Sequence, residues 1–321
     1  MTELDYVVVL AGGLSPERDI SLRSGSQLRD ALSDAGVQVV VADADGGLLS
    51  RLRADPPSAV FPVIHGAPGE DGSVPEVLEL LGVPYVGSQP AACRMAFDKP
   101  AAKTVIGAAG LRTPLSVSLP RETFHDLGAA AVIDLVIGSL GVPLFVKPTR
   151  GGSALGASAA HDAATLAAAI VGCFGYGDTA LIEQLVAGTE IAVGVVDLGS
   201  GPRPLPAVEI VAPSGAYDYT ARYTAGQTEF HVPARLPAAA LEEAARVAIA
   251  AHVTLGLRDI SRTDLIVDES GGVHFLEVNV APGMTSTSTL PMAMRAAGMN
   301  LGACGVTLLE RSAERGSGSL K

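Results

Sequence analysis

The chain has 321 residues and a formal net charge of −12 at pH 7, with 48% hydrophobic and 17% charged residues. This composition excludes a disordered chain and predicts a packed protein of about two or three domains. The acidic balance disfavours nucleic acid and anionic membranes as partners, although a nucleotide needs only local positive charge. No apolar stretch of about 18 residues lacks charged or turn residues, so we expect no membrane span.

The N-terminal residues and the cysteines predict a cytoplasmic protein. The first five residues include two acidic side chains and no basic one, unlike a secretory signal. Cys93, Cys173 and Cys304 are far apart and odd in number. This usage indicates reduced thiols and no zinc site.

The first third of the chain predicts strands that alternate with helices. A helix over residues 21–35 would turn Leu22, Leu28 and Leu32 inward. Such alternation predicts a parallel sheet, and ligands bind in the loops at the carboxyl ends of its strands. The strands are predicted at 6–11, 37–42 and 59–64, with candidate binding loops at 12–19 and 65–72.

The rest of the chain mixes helices and strands up to a glycine- and serine-rich tail. The stretch 213–228 is rich in glycine, tyrosine and threonine without periodicity, which predicts a long lid loop. We predict domains at 1–97, 98–182 and 183–314, with a flexible tail at 315–321. The predicted helices are 98–109, 163–171, 237–255 and 301–311, and the predicted strands are near 114–118, 143–147, 180–183, 189–197, 204–211, 263–267 and 273–278.

Lysine is rare in this chain, which has eighteen arginines and four lysines. Lys147 ends an apolar strand, and the glycine-rich loop 151–156 follows it closely. Lysine beside such a loop is suited to phosphate, because backbone N–H groups surround the oxygens and the ammonium adds a point charge. A surface lysine before an ordinary turn is the alternative.

Two late strands carry the sharpest constellation of polar residues. Arg262 and Asp264 share one face of their strand, and Glu277 and Asn279 share one face of the next. If the strands pair, two carboxylates and an amide oxygen converge, and these are ligands suited to Mg²⁺. Arg262 beside them could neutralise a developing oxyanion or a phosphoryl group in transfer. The alternative is a solvated face of a hairpin, which the strongly apolar neighbours disfavour.

Taken in order, these and further motifs resemble the D-alanine–D-alanine ligase family of the ATP-grasp superfamily. The resemblance extends from residue 12 to residue 288 and implies a mixed α/β fold. The expected architecture has three domains: an N-terminal parallel-sheet domain that precedes the ATP-grasp, then a central and a C-terminal ATP-grasp subdomain. The motifs are Gly12-Gly-Leu-Ser-Pro-Glu-Arg18, His65-Gly-Ala-Pro-Gly-Glu-Asp-Gly72, Asp98-Lys99, Val146-Lys-Pro148, Gly152-Ser153, Leu181-Ile-Glu183, Gly188-Thr-Glu190, Tyr217-Asp-Tyr219, Arg262-Thr-Asp264 and Glu277-Val-Asn279.

The resemblance implies a role for each matching residue on the amino-acid side of the site. Glu17 would bind the ammonium of the first D-alanine in a hydrogen-bonded set with Ser153 and Tyr223. His65 would lie near the carboxylate of that substrate, and Ser288 would hold the carboxylate of the second D-alanine. Further catalytic residues implied by the resemblance are Arg262 and the N–H of Gly283, which would form the oxyanion site.

The resemblance likewise implies the ATP and metal ligands. Lys99 and Lys147 would contact the phosphates, Glu183 would lie at the adenine, and Glu190 would accept from the ribose hydroxyls. Two Mg²⁺ ions, or Mn²⁺ in their place, would be held by Asp264, Glu277 and Asn279. The remaining nucleotide-binding positions implied are Gly152, Ser153, Leu185 and Arg222.

The implied reaction joins two D-alanines through an acyl phosphate for the peptidoglycan precursor. Phosphorylation turns a carboxylate into an acyl group with a good leaving group, which the amine of the second amino acid attacks. The family also implies a homodimer that uses only small-molecule substrates. Closure of the lid 213–228 would protect the labile intermediate from water.

Three positions depart from the family pattern and leave the second substrate open. Arg222 stands where lysine is usual, Ala154 where a second serine is usual, and Pro75 where glutamine is usual. A related ligase that uses D-serine or a hydroxy acid therefore remains an alternative. A nucleotide-binding regulator without catalysis would be expected to have lost some of the four polar residues on the two late strands. A dinucleotide-dependent oxidoreductase is disfavoured, because the first loop lacks the G-x-G-x-x-G fingerprint.

Overall fold

The computed structural model describes residues 4–212 and 228–316. The predicted lid around Arg222 and Tyr223 and the end of the predicted tail lie outside these residues. The described helices are α1 (Arg18–Asp34), α2 (Leu48–Ala54), α3 (Ser73–Leu81), α4 (Pro90–Phe97), α5 (Lys99–Ala108), α6 (Arg121–Leu127), α7 (Ala129–Leu140), α8 (Ala163–Cys173), α9 (Ala238–Thr254), α10 (Thr289–Ala296) and α11 (Leu301–Arg315). The described strands are β1 (Val7–Ala11), β2 (Val39–Asp43), β3 (Ala59–Pro62), β4 (Ser116–Pro120), β5 (Leu144–Pro148), β6 (Ser158–Ala160), β7 (Thr179–Gln184), β8 (Thr189–Val196), β9 (Arg203–Pro204), β10 (Val208–Val211), β11 (Glu229–His231), β12 (Ile260–Val267) and β13 (Val273–Asn279).

The N-terminal region forms the predicted parallel sheet, in the order β2–β1–β3. β1 is apolar and buried along its whole length, because a central parallel strand is covered on both faces. In α1, Leu28 and Leu32 are fully buried, but the prediction for Leu22 is wrong, since its side chain is 37% exposed. Six residues separate Leu22 from Leu28, which places them roughly 120° apart around the helix.

A four-stranded antiparallel sheet, in the order β4–β7–β5–β6, forms the middle of the molecule. Its core packs α7 and α8 against the inner faces of β5 and β7, with Leu144, Leu166 and Ile182 completely buried. β5 ends at Lys147 and Pro148, so it delivers the lysine directly to the glycine-rich loop. The predicted order of strand, lysine and loop is therefore confirmed.

The largest sheet has the order β11–β10–β8–β12–β13, with the short β9 paired to β8. α9 and α5 cover one face, where Phe275 and the alanines of α9 form the core. The strand predicted at 204–211 begins only at Val208. Pro204 ends the short β9, and Pro206 lies in the break between β9 and β10, where proline has no N–H to donate to a sheet.

The last helix, α11, packs against the first helix and the parallel sheet. Residues of α1, β1, β3 and α11 share one core with β8, β10 and β12. α11 extends to Arg315, beyond its predicted end near residue 311 and into the first residue of the predicted tail. Arg315 donates two hydrogen bonds, of 2.9 and 2.7 Å, to the carboxylate of Asp259, which is 1% exposed. Asp259 also accepts the N–H of Gly87 at 2.8 Å, so this carboxylate links three distant segments.

The helices without a predicted counterpart are mostly short. They span seven to twelve residues, so an apolar periodicity of 3.6 residues repeats only a few times along each. They are α2, α3, α4, α6, α7 and α10.

Among the described residues, no single helix is both long and apolar enough to cross a membrane. α6 and α7 meet the criteria of length and composition only as a pair, and they are bent by 112° at the break between them. α7 buries Val132, Ile133 and Val136 in the core of the middle sheet.

Candidate active site

A cavity of about 650 Å³ opens between the parallel sheet, the glycine-rich loop and the β12–β13 pair. Most of the predicted site residues line it, although they come from segments far apart in the sequence. Those that line it are Glu17, His65, Lys99, Gly152, Ser153, Arg262, Asp264, Glu277, Asn279, Gly283 and Ser288. Lys147, Glu183, Leu185 and Glu190 are not among the described residues of its wall, and Arg222 and Tyr223 lie outside the described segments.

The two late strands pair in the predicted way. In the antiparallel register of β12 and β13, Arg262 lies opposite Asn279 and Asp264 lies opposite Glu277. Arg262 donates two parallel hydrogen bonds to Asp264, Nε to Oδ1 at 2.7 Å and Nη2 to Oδ2 at 2.8 Å. This bidentate geometry fixes the guanidinium plane at the cavity wall.

The donor atoms on these strands fit a hard divalent cation only when further ligands, such as water or phosphate oxygens, complete its coordination. Within residues 4–212 and 228–316, no three His, Cys, Asp or Glu side chains form a metal-binding group. Asp264 and Glu277 supply two carboxylates, and the side chain of Asn279 adds an amide oxygen, which here accepts the Ala281 N–H at 2.8 Å. Mg²⁺ commonly completes such partial sets with water and substrate phosphate oxygens.

Glu17 reaches the glycine-rich loop from the start of α1. Ser153 donates a hydrogen bond to its Oε1, and both side chains are buried. The approach requires glycine on two sides of the carboxylate. A Cβ on Gly66 would lie 2.6 Å from Glu17 Oε2, and a Cβ on Gly152 would lie 2.9 Å from the same atom. Glu17 and Ser153 are thus in contact, while Tyr223, the third member of the predicted set, lies outside the described residues, and the role of the set stays a prediction.

His65 follows β3 and is held in one tautomer by its neighbours. Its Nδ1 lies 3.0 Å from the carbonyl oxygen of Ala281, and its Nε2 lies 2.9 Å from Ser24 Oγ. Because a carbonyl only accepts, Nδ1 carries the proton and the hydroxyl of Ser24 donates to Nε2. Burial lowers the pKa of His65 from 6.5 to about 4. The imidazole is therefore neutral at pH 7, and both ring nitrogens already have protein partners.

Glu70 is a site residue that the sequence reasoning missed. Its carboxyl lines the cavity and accepts the N–H of Gly66 at 2.9 Å, with Asn279 Nδ2 at 3.5 Å. Burial, followed by the negative charge of Glu17, raises the pKa of Glu70 to about 8. An available signal was the position of this acid inside the unusual loop 65–72. A neutral carboxyl beside a charged one is typical of functional sites.

The loop after β5 brings backbone and lysine together. Ser153 and Ala154 both have a φ of 55°, the left-handed conformation that tightens the loop around the cavity. Lys99, at the start of α5, donates to the carbonyl oxygen of Gly151 at 2.7 Å and lies 3.5 Å from Glu277 Oε2. Its ammonium thus lies between the glycine-rich loop and the Glu277 carboxylate on β13.

Ser288 and Gly283 lie on the loop that leads from β13 into α10. Ser288 is the residue before the first turn of α10, and its hydroxyl accepts the N–H of Thr285 at 3.1 Å. The loop passes so close to Ser288 that a Cβ on Gly283 would lie 2.6 Å from its Oγ. A helix N-terminus with a hydroxyl is suited to an anionic group such as a carboxylate.

A second polar cluster lies behind the cavity wall. Glu183 on β7 is 2% exposed, and its two oxygens pair with two buried lysines, Lys103 and Lys147. Burial alone would raise the pKa of Glu183, but the charges of Lys147 and Lys103 hold it below its usual value. Leu185 and Glu190 lie nearby in sequence, after β7 and at the start of β8, and both are half-buried. Sequence reasoning assigned no role to Lys103.

Comparison with known proteins identifies the family. The family models described as "D-ala D-ala ligase C-terminus" and "D-ala D-ala ligase N-terminus" match residues 105–310 and 47–88. The D-alanine–D-alanine ligase of Bordetella petrii is 38% identical over 310 residues, which cover 97% of this chain and 93% of that protein. The corresponding ligase of Pelobacter propionicus is 40% identical over 89% of this chain and 88% of its own length. The chain belongs to the D-alanine–D-alanine ligase family, as the sequence motifs predicted.

Solved structures agree with the fold. D-alanyl-alanine synthetase A of Vibrio cholerae superposes with a TM-score of 0.86 at 26% identity, covering 97% of this chain and 99% of the other. The D-alanine–D-alanine ligase of Bacillus anthracis gives 0.80 at 28% identity, with 97% and 98% coverage. The VanG D-Ala:D-Ser ligase of Enterococcus faecalis gives 0.81 at 26% identity, with 97% and 100% coverage. The predicted mixed α/β fold of ATP-grasp type is confirmed.

Proposed function

We propose that the protein joins two D-alanines to D-alanyl-D-alanine for the peptidoglycan precursor and converts ATP to ADP and phosphate. The observation that carries the proposal is the cavity in which Glu17 and Ser153 face the Arg262, Asp264 and Glu277 side chains. One wall offers an acceptor for a substrate ammonium, and the other offers groups for phosphate and a developing oxyanion. Relatives that are 36% to 40% identical carry the same activity in their names.

On the amino-acid side, we assign the ammonium of the first D-alanine to the Glu17–Ser153 pair, with Tyr223 from the lid. Ser153 donates to Glu17, which orients the carboxylate at the cavity wall. The ring of His65 would lie beside the substrate carboxylate. Because the ring is neutral, it would define the shape of the pocket there without adding a positive charge. Ser288, at the N-terminus of α10, is assigned to the carboxylate of the second D-alanine.

On the nucleotide side, Lys99 and Lys147 are assigned to the ATP phosphates. The glycine-rich loop with Gly152 and Ser153 would surround the phosphate oxygens with backbone N–H groups. Lys99 already bonds to that loop, which supports its place beside the phosphates. The remaining assignments are Glu183 and Leu185 for the adenine, Glu190 for the ribose and Arg222 for the phosphoryl group.

Asp264, Glu277 and Asn279 would hold two Mg²⁺ ions, or Mn²⁺ in their place. Their register on β12 and β13 presents two carboxylates and one amide oxygen on a single face. Bound there, the cations would neutralise charge on the phosphates. Lys99 lies 3.5 Å from Glu277 and would share that neutralisation from the opposite side.

The side chains support a two-stage reaction. A carboxylate oxygen of the first D-alanine attacks the γ-phosphorus of ATP, giving an acyl phosphate and ADP. The amine of the second D-alanine then attacks the acyl carbon, and phosphate leaves with the former carboxylate oxygen. Arg262, locked against Asp264, and the N–H of Gly283 would stabilise the oxyanion of the tetrahedral intermediate. Positioning and charge stabilisation supply most of the catalysis.

We also propose that the protein is a cytoplasmic homodimer with the domain limits 1–97, 98–182 and 183–314. Three buried free cysteines support a reducing compartment. The limits of the first two segments are supported by two cores that each lie within one of them, at 6–85 and 117–182, whereas the core of the largest sheet also takes in residues from 93–111. The net charge of −12 supports small-molecule substrates over nucleic acid or a membrane surface.

The test is phosphate release from ATP and Mg²⁺ with D-alanine, L-alanine, D-serine and D-lactate, singly and in pairs with D-alanine, with product mass recorded alongside. Release with D-alanine alone and the mass of the dipeptide are expected. The second candidate is a D-alanine–D-serine ligase, favoured by the superposition with the Enterococcus faecalis enzyme. A mixed product formed in preference to D-alanyl-D-alanine would select that candidate, and no release with any substrate would contradict both.

A further inference from the structure

Three of the four lysines of this chain are buried around one cleft. Lys99, Lys103 and Lys147 are 8%, 4% and 7% exposed. Lys99 and Lys103 lie four residues apart on α5 and therefore share one face of the helix. Lys99 lines the active-site cavity, whereas Lys103 is not part of its described wall. Lys103 is thus buried beside the cleft without forming part of the described cavity wall.

Glu183 is the group that Lys103 contacts. Lys103 Nζ pairs with Glu183 Oε2, while Lys147 Nζ pairs with Glu183 Oε1 at 2.7 Å. Each carboxylate oxygen thus takes one ammonium. In this arrangement Lys147 is engaged by a carboxylate behind the cavity wall.

Lys147 also interacts electrostatically with carboxylates of the cavity wall. Burial lowers the pKa of Lys147, but the carboxylates of Glu183, Glu277 and Asp264 raise it further, so that the net shift is upward. Glu277 and Asp264 belong to the face assigned to the phosphate-bound cations. The ammonium of Lys147 therefore lies between a buried carboxylate and the phosphate side of the site.

Lys147 can turn to a phosphate only if Glu183 keeps a counter-charge. A buried carboxylate that loses its partner is strongly destabilised, whereas one that retains an ion pair is tolerated. Lys103 is the partner that remains, because it is buried on the far oxygen of Glu183 and away from the cavity. We propose that Lys103 is a positioning residue for ATP, which neutralises Glu183 so that Lys147 is available to the phosphates. This inference rests on the proposed assignment of Lys147.

The first test compares steady-state kinetics of the wild type and Lys103→Met. Without Lys103, Glu183 should retain Lys147, and the KM for ATP should rise roughly tenfold or more. The kcat at saturating ATP and the KM for D-alanine should stay near the wild-type values, because neither amino-acid site changes. An unchanged KM for ATP would overturn the inference.

A double-mutant cycle separates positioning from direct contact. In a Glu183→Gln background the carboxylate charge is absent, so Lys103→Met should raise the KM for ATP no further. An equal effect of Lys103→Met in both backgrounds would overturn the inference, since it would mean that Lys103 acts on ATP without Glu183. In both Glu183→Gln variants Lys147 loses its ion pair with Glu183, so thermal unfolding of each variant is recorded beside the kinetics to confirm that it is folded.

Two further variants keep the outcomes distinct. Arg315→Met removes the bidentate partner of buried Asp259, neither of which belongs to the described cavity wall, and should lower stability without changing the KM for ATP. If Arg315→Met raised that KM equally, general destabilisation would explain the effect and the inference would fall. Lys147→Met should weaken ATP binding; if it does not, the Lys147 assignment fails first. Weakening by Lys147→Met with none by Lys103→Met would overturn the Lys103 role alone.

Discussion

The buried imidazole of His65 makes stability depend on pH in a defined direction. The folded protein keeps His65 neutral down to about pH 4, while the unfolded chain takes up a proton below 6.5. The stability that this difference contributes is present above pH 6.5 and is lost as the pH falls toward 4. The shift corresponds to about 3 kcal/mol in the free energy of unfolding. Glu70 acts oppositely, since its raised pKa lowers stability as the pH rises from 4.5 to about 8.

Because these two effects overlap, only a variant separates them. We expect the unfolding free energy of His65→Asn to have a lower slope against pH than that of the wild type between pH 4 and 6.5, because the contribution of His65 to that slope is removed. Urea denaturation at several pH values would measure both curves. Parallel curves for the two proteins would show that His65 is protonated equally in the folded and unfolded states.

Glu277 contributes one of the two carboxylates assigned to the metal ions. Glu277→Gln should lower kcat by roughly a hundredfold or more, a typical cost of removing a group that stabilises charge in the transition state. The fold should persist, because Glu277 lies at the cavity wall and not in a core. The matched control is Glu243→Gln, which removes an exposed pair with Arg246 and should leave turnover unchanged. Wild-type turnover in Glu277→Gln would refute the metal assignment.

Gly152 allows the Glu17 carboxylate to approach the loop. In Gly152→Ala the new methyl group would meet both carboxylate oxygens at 2.9 and 3.0 Å, so the Glu17–Ser153 contact must shift. We expect kcat/KM for D-alanine to fall roughly ten- to a hundredfold, because a small misplacement of a substrate-binding group has a large effect on rate. Gly138→Ala in α7 has no atom within 4 Å of the new methyl group and should leave the kinetics unchanged.

At the scale of elements, the packing of the last helix, α11, against the first helix, α1, depends on one close backbone contact. A Cβ on Gly302 would lie 2.1 Å from the carbonyl oxygen of Ala31, so α11 can approach α1 only with glycine there. Gly302→Ala should destabilise the protein by about 1–3 kcal/mol, since backbone must move to relieve the overlap. Gly138→Ala, with open space around it, should gain about 0.5–1 kcal/mol from helix propensity instead. Urea midpoints compare the two, and equal stability would mean that the helices separate without cost.

Elements with a strong local pattern were predictable, and those defined by packing were not. The shared face of Arg262 and Asp264 follows from alternation whichever strand β12 pairs with, whereas the register with β13, which shifts after Asp264, does not. The prediction that Leu22 faces inward was wrong, because the spacing of the leucines alone did not reveal which side of α1 faces the sheet. The start of β10 at Val208 was recoverable from the prolines before it. Short helices such as α2 leave too few turns for any periodic signal.

At the scale of the whole molecule, the site is assembled from segments more than a hundred residues apart. Motif order could assign Glu17 and Ser153 to one site, and their hydrogen bond joins positions 136 residues apart. Lys103 could not be assigned in this way, because its significance depends on burial and on its contact with Glu183, 80 residues away in the sequence. A lysine four residues after Lys99 looks like an ordinary helical surface residue until Glu183 is placed beside it.

The central claim is that the cavity activates a D-alanine carboxylate with ATP before peptide bond formation. The most direct measurement supplies D-alanine labelled with ¹⁸O in its carboxylate, with ATP and Mg²⁺, and analyses the released phosphate by mass. An acyl phosphate transfers one carboxylate oxygen to phosphate when the amine displaces it. We expect one ¹⁸O atom in each phosphate released, together with the dipeptide. Phosphate without ¹⁸O, formed alongside the dipeptide, would contradict the central claim, because the carboxylate oxygen would then never have been bonded to phosphorus.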